Sequence, residues 1–360
     1  MKRSRATPSG RFLDAASGRS IRQVTSGNCI HHHLFFFVSS YSHCGRYLYF
    51  VSHVAGRPQV FAEDRVASRI IQMTDVKALN EWSVHPYGTN VYFTADGKAM
   101  FASMETGRTQ VLLDVEGSAN AGMNTENTSL VPGTTAISEN GRFWAVRAKV
   151  PGGYAILVYD MNTAKWRIEY TGDSVSHMQF CPDDDNLLFF AGALNDRVWL
   201  LDRLSGSARR LYERDAKAKQ WITHESWIPG RNELSLVDWP KGIIAINIHT
   251  GETRRVTQIN AWHAVSNKRG TQMVMDTNHP DIGLLLLDPR LTSQTPTLLC
   301  QSKATNVGEH WKHPFPYDNG PIQVYAPQHT HPHPSFSSDG RHVVFTSDMS
   351  GFSQVYEVEI

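Results

Sequence analysis

The sequence contains few cysteines. Only four occur among 360 residues, at positions 29, 44, 181 and 300, and no two of them have Cys-x-x-Cys spacing. This scatter argues against a zinc ribbon and against a disulfide framework. We therefore expect four reduced and mostly buried thiols, as in a cytoplasmic protein.

An excess of charge and a long apolar run are also missing. The 35 Lys and Arg residues nearly balance the 34 Asp and Glu residues, for a net charge of +1. Bulk electrostatics therefore predict neither a nucleic-acid partner nor an anionic membrane surface. No run approaches the ~18 apolar residues of a membrane span, and the basic residues 1–6 lead into polar residues rather than an apolar signal core. We expect a cytoplasmic chain that is a monomer or a weak oligomer.

A repeated strand pattern fills the chain, and no convincing amphipathic helix interrupts it. In each unit a turn with Gly, Asp or Asn precedes an aromatic and β-branched segment, a short loop and a second such segment. The turn residues of seven units fall at positions 45, 88, 141, 184, 230, 270 and 340. Most intervals are 40 to 53 residues, the period of a four-stranded propeller blade. The longer last interval predicts an insertion at about 289–330, a candidate lid.

The two ends of the chain predict a closed ring. Several units end like residues 250–257, Thr-Gly-Glu-Thr-Arg-Arg-Val-Thr, but the last unit stops at Ile360 without this segment. A similar segment lies at the N-terminus, in residues 17–25. The N-terminal strand is expected to complete the last blade and to remove an exposed sheet edge. The fold prediction is an all-β, seven-bladed β-propeller, with residues 1–360 forming a single domain.

Histidine is prominent, with 17 residues, and four of them recur in phase with the repeat. His177, His263 and His333 each lie seven residues before the turn of their unit, and His224 lies six before. These positions predict a histidine at the start of the innermost strand of four consecutive blades, facing the central channel of a propeller.

Two further side chains are expected on the same rim. Arg197 and His279 lie in the loops between the second and third strands of their units. We assign His177 and His279 to substrate binding. For His177, a hydrogen bond between neighbouring blades is the alternative role.

A metal site is predicted around Gln328-His329-Thr330-His331-Pro332-His333. His331 and His333 are two residues apart, so in an extended strand their side chains leave the same face. Gln328 precedes them by three residues and could turn its amide oxygen toward the same point. Imidazole nitrogens with an amide oxygen suit a transition metal such as Mn, Fe, Ni or Zn. A solvated, proline-stiffened loop is the alternative.

Four segments resemble the oligogalacturonate lyase family, cytoplasmic seven-bladed propellers that cleave unsaturated pectin oligomers. The resemblance rests on the sequences Thr-His-Pro-His-Pro-Ser-Phe, Thr-His-Glu-Ser-Trp-Ile-Pro, Asp-Arg-Val-Trp-Leu and Trp-His-Ala-Val-Ser-Asn. They occupy residues 330–336, 223–229, 196–200 and 262–267. Weaker likeness extends from about residue 14 to the C-terminus.

The resemblance implies a manganese ion held by three histidines and a glutamine, which correspond to His263, His331, His333 and Gln328. It implies His224 as the catalytic base and Arg197 as the active-site arginine, acting on an acidic oligosaccharide. The expected reaction is β-elimination from an oligogalacturonide or related uronate, giving 4,5-unsaturated products. Residues 190–194 and the insertion before Gln328 depart from the family pattern, which leaves the exact sugar open.

Two other functions remain open. A non-catalytic binding or scaffold propeller would not need histidines at the channel mouth of successive blades. A metal-dependent hydrolase would use the same rim, whereas the lack of a Gly-x-Ser-x-Gly elbow argues against a serine hydrolase. Arg197 also remains an alternative base, with His224 then orienting the substrate.

Overall fold

The computed structural model describes residues 4–7, 10–115, 126–278, 280–305 and 330–360. Within these residues the chain forms 31 β-strands and one short 3₁₀ helix, Glu81–Ser83. The strands build seven antiparallel sheets, one for each predicted repeat. The predicted all-β, seven-bladed propeller is therefore confirmed. No helix in the described part of the chain is long and apolar enough to cross a membrane.

The sheets fall into two compact units. The first unit contains residues 3–72 and 214–360, with blades 1, 5, 6 and 7. The second contains residues 73–213, with blades 2, 3 and 4.

Blades 1 and 7 of the first unit each have five strands. Blade 1 has the order β1-β7-β6-β5-β4, with β1 Ser4–Ala6, β4 His31–His33, β5 Tyr47–Ser52, β6 Gln59–Asp64 and β7 Arg69–Gln72. Blade 7 has the order β2-β3-β31-β30-β29, with β2 Gly10–Leu13, β3 Ser20–Gln23, β29 Ser335–Phe336, β30 His342–Ser347 and β31 Gln354–Glu359.

Blades 5 and 6 of this unit each have four strands in chain order. Blade 5 contains β21 Trp221–Ile228, β22 Glu233–Trp239, β23 Gly242–Asn247 and β24 Thr253–Thr257. Blade 6 contains β25 Ala264–Ser266, β26 Met273–Met275, β27 Leu284–Leu287 and β28 Thr297–Cys300.

The second unit contains two blades of four strands and one blade, blade 3, of five strands. Blade 2 contains β8 His85–Tyr87, β9 Asn90–Ala95, β10 Lys98–Ser103 and β11 Thr109–Asp114. Blade 3 contains β12 Ser129–Leu130, β13 Ala136–Ile137, β14 Phe143–Val150, β15 Gly153–Asp160 and β16 Lys165–Gly172. Blade 4 contains β17 Ser176–Cys181, β18 Asp184–Ala193, β19 Asp196–Asp202 and β20 Ser207–Tyr212.

The N-terminal strand closes blade 7, as predicted. β3 pairs antiparallel with β31, and Ile21 lies opposite Val358. Arg22 of the same strand forms ion pairs with Glu63 of blade 1 at 2.7 Å and with Glu357 of blade 7 at 2.9 Å. Both carboxylates are buried, so this arginine ties the last blade to the first. The added strands β1 and β2 were not predicted.

The sequence prediction places the start of the insertion too early, at about residue 289, before blade 6 is complete. Residues 297–300 form β28, the outermost strand of blade 6, and pair with β27. The chain up to Cys300 therefore completes a blade. Most of the rest of the insertion, residues 306–329, lies outside the described residues.

Apolar side chains fill the space between adjacent sheets within each unit. Between blades 5 and 6, three tryptophans, Trp221, Trp239 and Trp262, pack together with ring centroids 4.6 to 6.1 Å apart. The turn between the first two strands of blade 6 closely approaches the corresponding turn of blade 5. Gly270 has φ +62°, and a Cβ atom there would lie 2.1 Å from the Pro229 carbonyl oxygen. The position therefore requires glycine.

Candidate active site

Three of the predicted metal ligands meet in the first unit. One ligand nitrogen from each of His263, His331 and His333 lies within 4.8 Å of the others. All three side chains are buried, with at most 2% of their surface exposed. Their ring centroids are 4.2 Å apart for His263 and His333, 5.6 Å for His263 and His331, and 5.4 Å for His331 and His333.

His331 and His333 converge by a route that the strand argument did not predict. Both lie before β29 rather than within a strand. His333 has φ +46°, in the left-handed region that few residues other than glycine adopt. A local backbone turn therefore brings the two rings together, in place of the alternation of an extended strand.

The turn that carries these rings is held by His33, a buried residue of blade 1. Its Nε2 donates to the Pro332 carbonyl oxygen at 2.9 Å, and its Nδ1 accepts from the Ser40 hydroxyl at 3.2 Å. Burial lowers the pKa of His33 to about 3 despite the hydrogen bond to Pro332. His33 is thus a neutral imidazole that supports the backbone between the two proposed ligands.

Asp276 holds the third ligand and lies directly after β26. Its carboxylate accepts the His263 backbone N–H at 2.6 Å and the His263 ring Nδ1–H at 2.8 Å. It also accepts the backbone N–H of His333 at 3.3 Å. The other ring nitrogen, His263 Nε2, is buried and makes no hydrogen bond to any described residue. A lone pair directed into a cluster of imidazoles fits a metal ligand.

Two phenylalanines, Phe35 and Phe36, pack against the histidines. Phe36 is 1% exposed, and its ring centroid lies 5.0 Å from that of His263 and 5.8 Å from that of His224. The ring centroid of Phe35 lies 5.2 Å from that of His333.

Burial holds the pKa of His333 well below its ordinary value, and the neighbouring histidines lower it further. The ring is therefore neutral, the state in which imidazole binds a metal.

His224, the proposed base, lies beside the cluster on β21. Its ring centroid is 4.3 Å from that of His263 and 4.8 Å from that of Trp262, whose ring plane is inclined at 69° to the imidazole. Unlike the three proposed ligands, His224 is only half-buried. It is therefore accessible to a molecule bound at the cluster.

A shared backbone device positions three of the four repeat histidines. His177, His224 and His333 have φ values of +47°, +47° and +46°. In blades 4 and 5 these residues lie where the pairing register of the first two strands shifts. Such bulges redirect side chains next to functional sites. The fourth, His263, lies directly before β25 and is not in this conformation.

The second unit brings Arg197 and His177 together in blade 4. Arg197 Nη2 donates to His177 Nδ1 at 3.4 Å, and the Ser176 hydroxyl lies 3.2 Å from the same nitrogen. Arg197 is 8% exposed. His177 thus contacts Arg197 of its own blade. Its role in substrate binding stays a prediction. Gln328 and His279 lie outside the described residues.

Sequence reasoning did not identify Asp276, His33 or Phe36. Of these three, Asp276 could have been found from the sequence. It directly follows the second strand of its blade, and His263 directly precedes the first, so antiparallel pairing brings both to the same edge of the sheet. The His-His-His and Phe-Phe-Phe runs at residues 31–33 and 35–37 gave no indication of which residue would touch the site.

Comparison with known proteins identifies the family. A family model described as oligogalacturonate lyase matches residues 160–360, more than half of the chain. The oligogalacturonate lyase of Dickeya dadantii (strain 3937) is 28% identical over 197 residues, which cover 52% of this chain and 50% of that protein. The oligogalacturonide lyase of Pectobacterium atrosepticum is 26% identical over 204 residues, with the same coverage. The chain thus matches about half the length of these relatives.

Solved structures agree in fold over the whole chain. An oligogalacturonate lyase from Vibrio parahaemolyticus has a TM-score of 0.80 at 20% identity and covers 100% of this chain and 98% of its own. An oligogalacturonate lyase in complex with manganese has a TM-score of 0.81, also at 20% identity and with the same coverage. At this identity the likeness concerns the fold, whereas the family model also covers the segments that carry the histidine cluster. The chain belongs to the oligogalacturonate lyase family.

Proposed function

We propose that this protein is a metal-dependent lyase that cleaves oligogalacturonides or related uronate oligosaccharides by β-elimination. The observation that carries the proposal is the buried convergence of His263, His331 and His333, with half-buried His224 beside it. Family membership supports the choice of an acidic sugar as substrate. A non-catalytic scaffold has no evident use for three buried imidazoles with nitrogens within 4.8 Å of one another.

In this proposal, four residues bind the metal. His263, His331 and His333 supply imidazole nitrogens, and Gln328 is assigned an amide oxygen from the family resemblance. This neutral N/O set suits a divalent transition metal, and a manganese complex of a protein with the same fold supports Mn²⁺. When bound, the cation would neutralise a uronate carboxylate and favour negative charge next to it.

His224 is assigned as the general base. Neutral imidazole has an ordinary pKa of about 6.5, which suits removal of the C5 proton of a uronate near neutral pH. The half-buried position leaves the ring open to a substrate, while Trp262 packs against it with ring centroids 4.8 Å apart. Departure of the C4 oxygen then completes the elimination and leaves a 4,5-unsaturated sugar.

Arg197 is assigned to the substrate carboxylate. A guanidinium group binds a carboxylate through two parallel hydrogen bonds, which fixes both position and orientation. His177 accepts one Arg197 N–H and so helps to hold the guanidinium plane. His279 is retained as a proposed substrate contact. A cytoplasmic location and a monomeric or weakly associated state belong to the same proposal.

The mass of the products tests the reaction type. We expect mass spectrometry after incubation with oligogalacturonides and Mn²⁺ to give pairs of fragments whose masses sum to that of the substrate. Hydrolysis would instead add one water to each pair, and that outcome would assign a metal-dependent hydrolase. Unchanged substrate across a panel of uronate oligomers would contradict both enzymatic assignments.

A further inference from the structure

We infer that Asp276 is a positioning residue that prepares two ligands for the metal, an inference that rests on the proposed metal site. Asp276 is 1% exposed and lies directly after β26. Its carboxylate accepts three hydrogen bonds: one from the His263 ring, one from the His263 backbone and one from the His333 backbone. His333 comes from blade 7, so a single side chain organises ligands from two blades.

The first consequence concerns the tautomer of His263. A carboxylate only accepts hydrogen bonds, so the ring nitrogen 2.8 Å from it must carry the proton. The proton on Nδ1 leaves the lone pair of Nε2 directed away from Asp276. This is the arrangement by which carboxylates commonly orient metal-binding histidines. Asp276 therefore selects the tautomer in which His263 can bind a cation.

The second consequence concerns the backbone of His333. Its left-handed conformation is uncommon for a residue other than glycine and must be stabilised by its surroundings. Asp276 accepts the N–H of this residue at 3.3 Å, and the preceding Pro332 carbonyl accepts the Thr346 N–H at 3.0 Å. Both polar groups of the peptide bond that precedes His333 are thus hydrogen-bonded, which holds the turn that directs its ring toward His263.

The third consequence concerns charge. The proposed ligands are imidazoles and an amide, which are neutral when they bind a metal. Asp276 places a carboxylate in direct hydrogen bond with one of them, and such a negative partner makes the imidazole a more basic ligand for a divalent cation. The carboxylate also avoids the cost of an unpartnered buried polar group through its three hydrogen bonds.

An Asp276→Asn variant keeps the shape but changes the hydrogen-bonding pattern. If the amide oxygen keeps the His263 backbone N–H, the amide NH₂ group faces Nδ1 and donates to it. The ring proton must then move to Nε2, which blocks the lone pair meant for the metal. Asp288→Asn is the matched control, because Asp288 lies after β27 in the same blade and is paired with Arg290 at 2.6 Å.

Calorimetric titration with Mn²⁺ tests the inference on the full-length chain. We expect the dissociation constant of Asp276→Asn to rise about 10- to 100-fold, with wild-type affinity in Asp288→Asn. Equal affinity in wild type and Asp276→Asn would overturn the role of Asp276 and leave the metal site intact. If the wild-type protein binds no divalent cation, the proposed metal site fails, and the inference about Asp276 fails with it.

A second measurement needs neither a metal nor the Asp276→Asn variant. In ¹⁵N-histidine-labelled wild type without metal, we expect the His263 ring to carry its proton on Nδ1, with its resonances assigned by comparison with His263→Gln. A proton on Nε2 would overturn the inference even if Asp276→Asn fails to fold. A structural role alone would lower the melting temperature of Asp276→Asn without changing its Mn²⁺ affinity.

Discussion

The histidines around the candidate site differ in exposure and in hydrogen bonding, and these differences separate their roles. His263, His331 and His333 are buried, and His263 has one nitrogen committed to Asp276 and the other directed into the cluster. His33 uses both ring nitrogens on protein atoms and supports the turn at Pro332. His224 is half-buried beside His263. The same residue type thus serves as proposed ligand, support and proposed base.

The first prediction concerns the metal ligands. Replacing both His331 and His333 by Ala should abolish stoichiometric metal while the β-structure stays, because both residues precede β29 rather than pair within it. Elemental analysis with far-UV circular dichroism measures both quantities. His342→Ala in β30 of the same blade is the control and should keep wild-type metal content. Equal metal in the double variant and wild type would refute the ligand assignment.

The second prediction concerns the base. His224→Ala should keep metal binding but reduce turnover by a factor on the order of 10² to 10⁴, the usual contribution of general-base catalysis. His249→Ala, an exposed histidine of the same blade, should retain full activity. Turnover close to wild type in His224→Ala would move the role elsewhere.

The pH–rate profile of the wild type decides between His224 and Arg197 as base. A histidine base gives a rate that rises through neutral pH as imidazole loses its proton. An arginine base would leave this rise absent or displace it far to alkaline pH, because guanidinium stays protonated.

At the scale of elements, the N-terminal segment stabilises the contact between the last blade and the first. β3 completes blade 7, and Arg22 on it bridges Glu63 and Glu357. Arg65 and Tyr41 of blade 1 also bind Glu357, each at 2.8 Å. These contacts form one ionic network around the buried Glu357 carboxylate, between blades 7 and 1. Burial alone would raise the pKa of Glu357, but Arg22 and Arg65 outweigh it and lower that pKa.

Deleting residues 1–26 should destabilise the protein strongly. The deletion bares the edge of β31 and removes Arg22 from the buried carboxylate of Glu63, and breaking a buried ion pair costs about 3–5 kcal/mol. Deleting only residues 1–9 removes β1 and keeps β2 and β3, so it should cost much less. Thermal unfolding of both truncations provides the comparison. Similar melting temperatures for the longer truncation and the full chain would contradict the closure of blade 7 by β3.

The Glu357 network should also make stability depend on acid. Because the folded-state pKa of Glu357 lies below its unfolded value, its ion pairs stabilise the protein above pH ~4.5 and lose this effect as pH falls through the folded pKa. Glu357→Gln should cost about 1–3 kcal/mol at pH 7, with the difference from wild type shrinking in acid. Urea unfolding across pH measures this. Exposed Glu359→Gln is the control, and a pH-independent difference for Glu357→Gln would contradict the network.

At the scale of the whole molecule, the sequence predicts the fold better than the site. Each blade is a local unit, so its turn and strand pattern can be recognised within about 45 residues. All seven predicted turn residues lie between two paired strands of a blade or at the start of the second strand. The repeat phase also selected His177, His224, His263 and His333. β28 was missed because a short strand inside a long interval resembles a loop.

The unpredicted parts of the site depend on contacts between distant residues. Asp276 and His333 are separated by 57 residues and meet only when blades 6 and 7 are adjacent. Phe36 belongs to an apolar run that is typical of a buried core, and its contact with His263 joins blades 1 and 6. The left-handed conformations of His224 and His333 are set by local packing and have no sequence marker of their own.

Restoration of activity by metal tests the central claim, metal-dependent β-elimination at the histidine cluster, most directly. The protein is first stripped with a chelator and mixed with oligogalacturonide, and the ultraviolet absorbance of unsaturated uronate is then followed as Mn²⁺ is added. We expect no absorbance change before the addition, a steady rise after it in wild type, and no rise in the double variant His331→Ala/His333→Ala. A rise of equal rate in the chelated wild type, or in the double variant, would contradict the central claim.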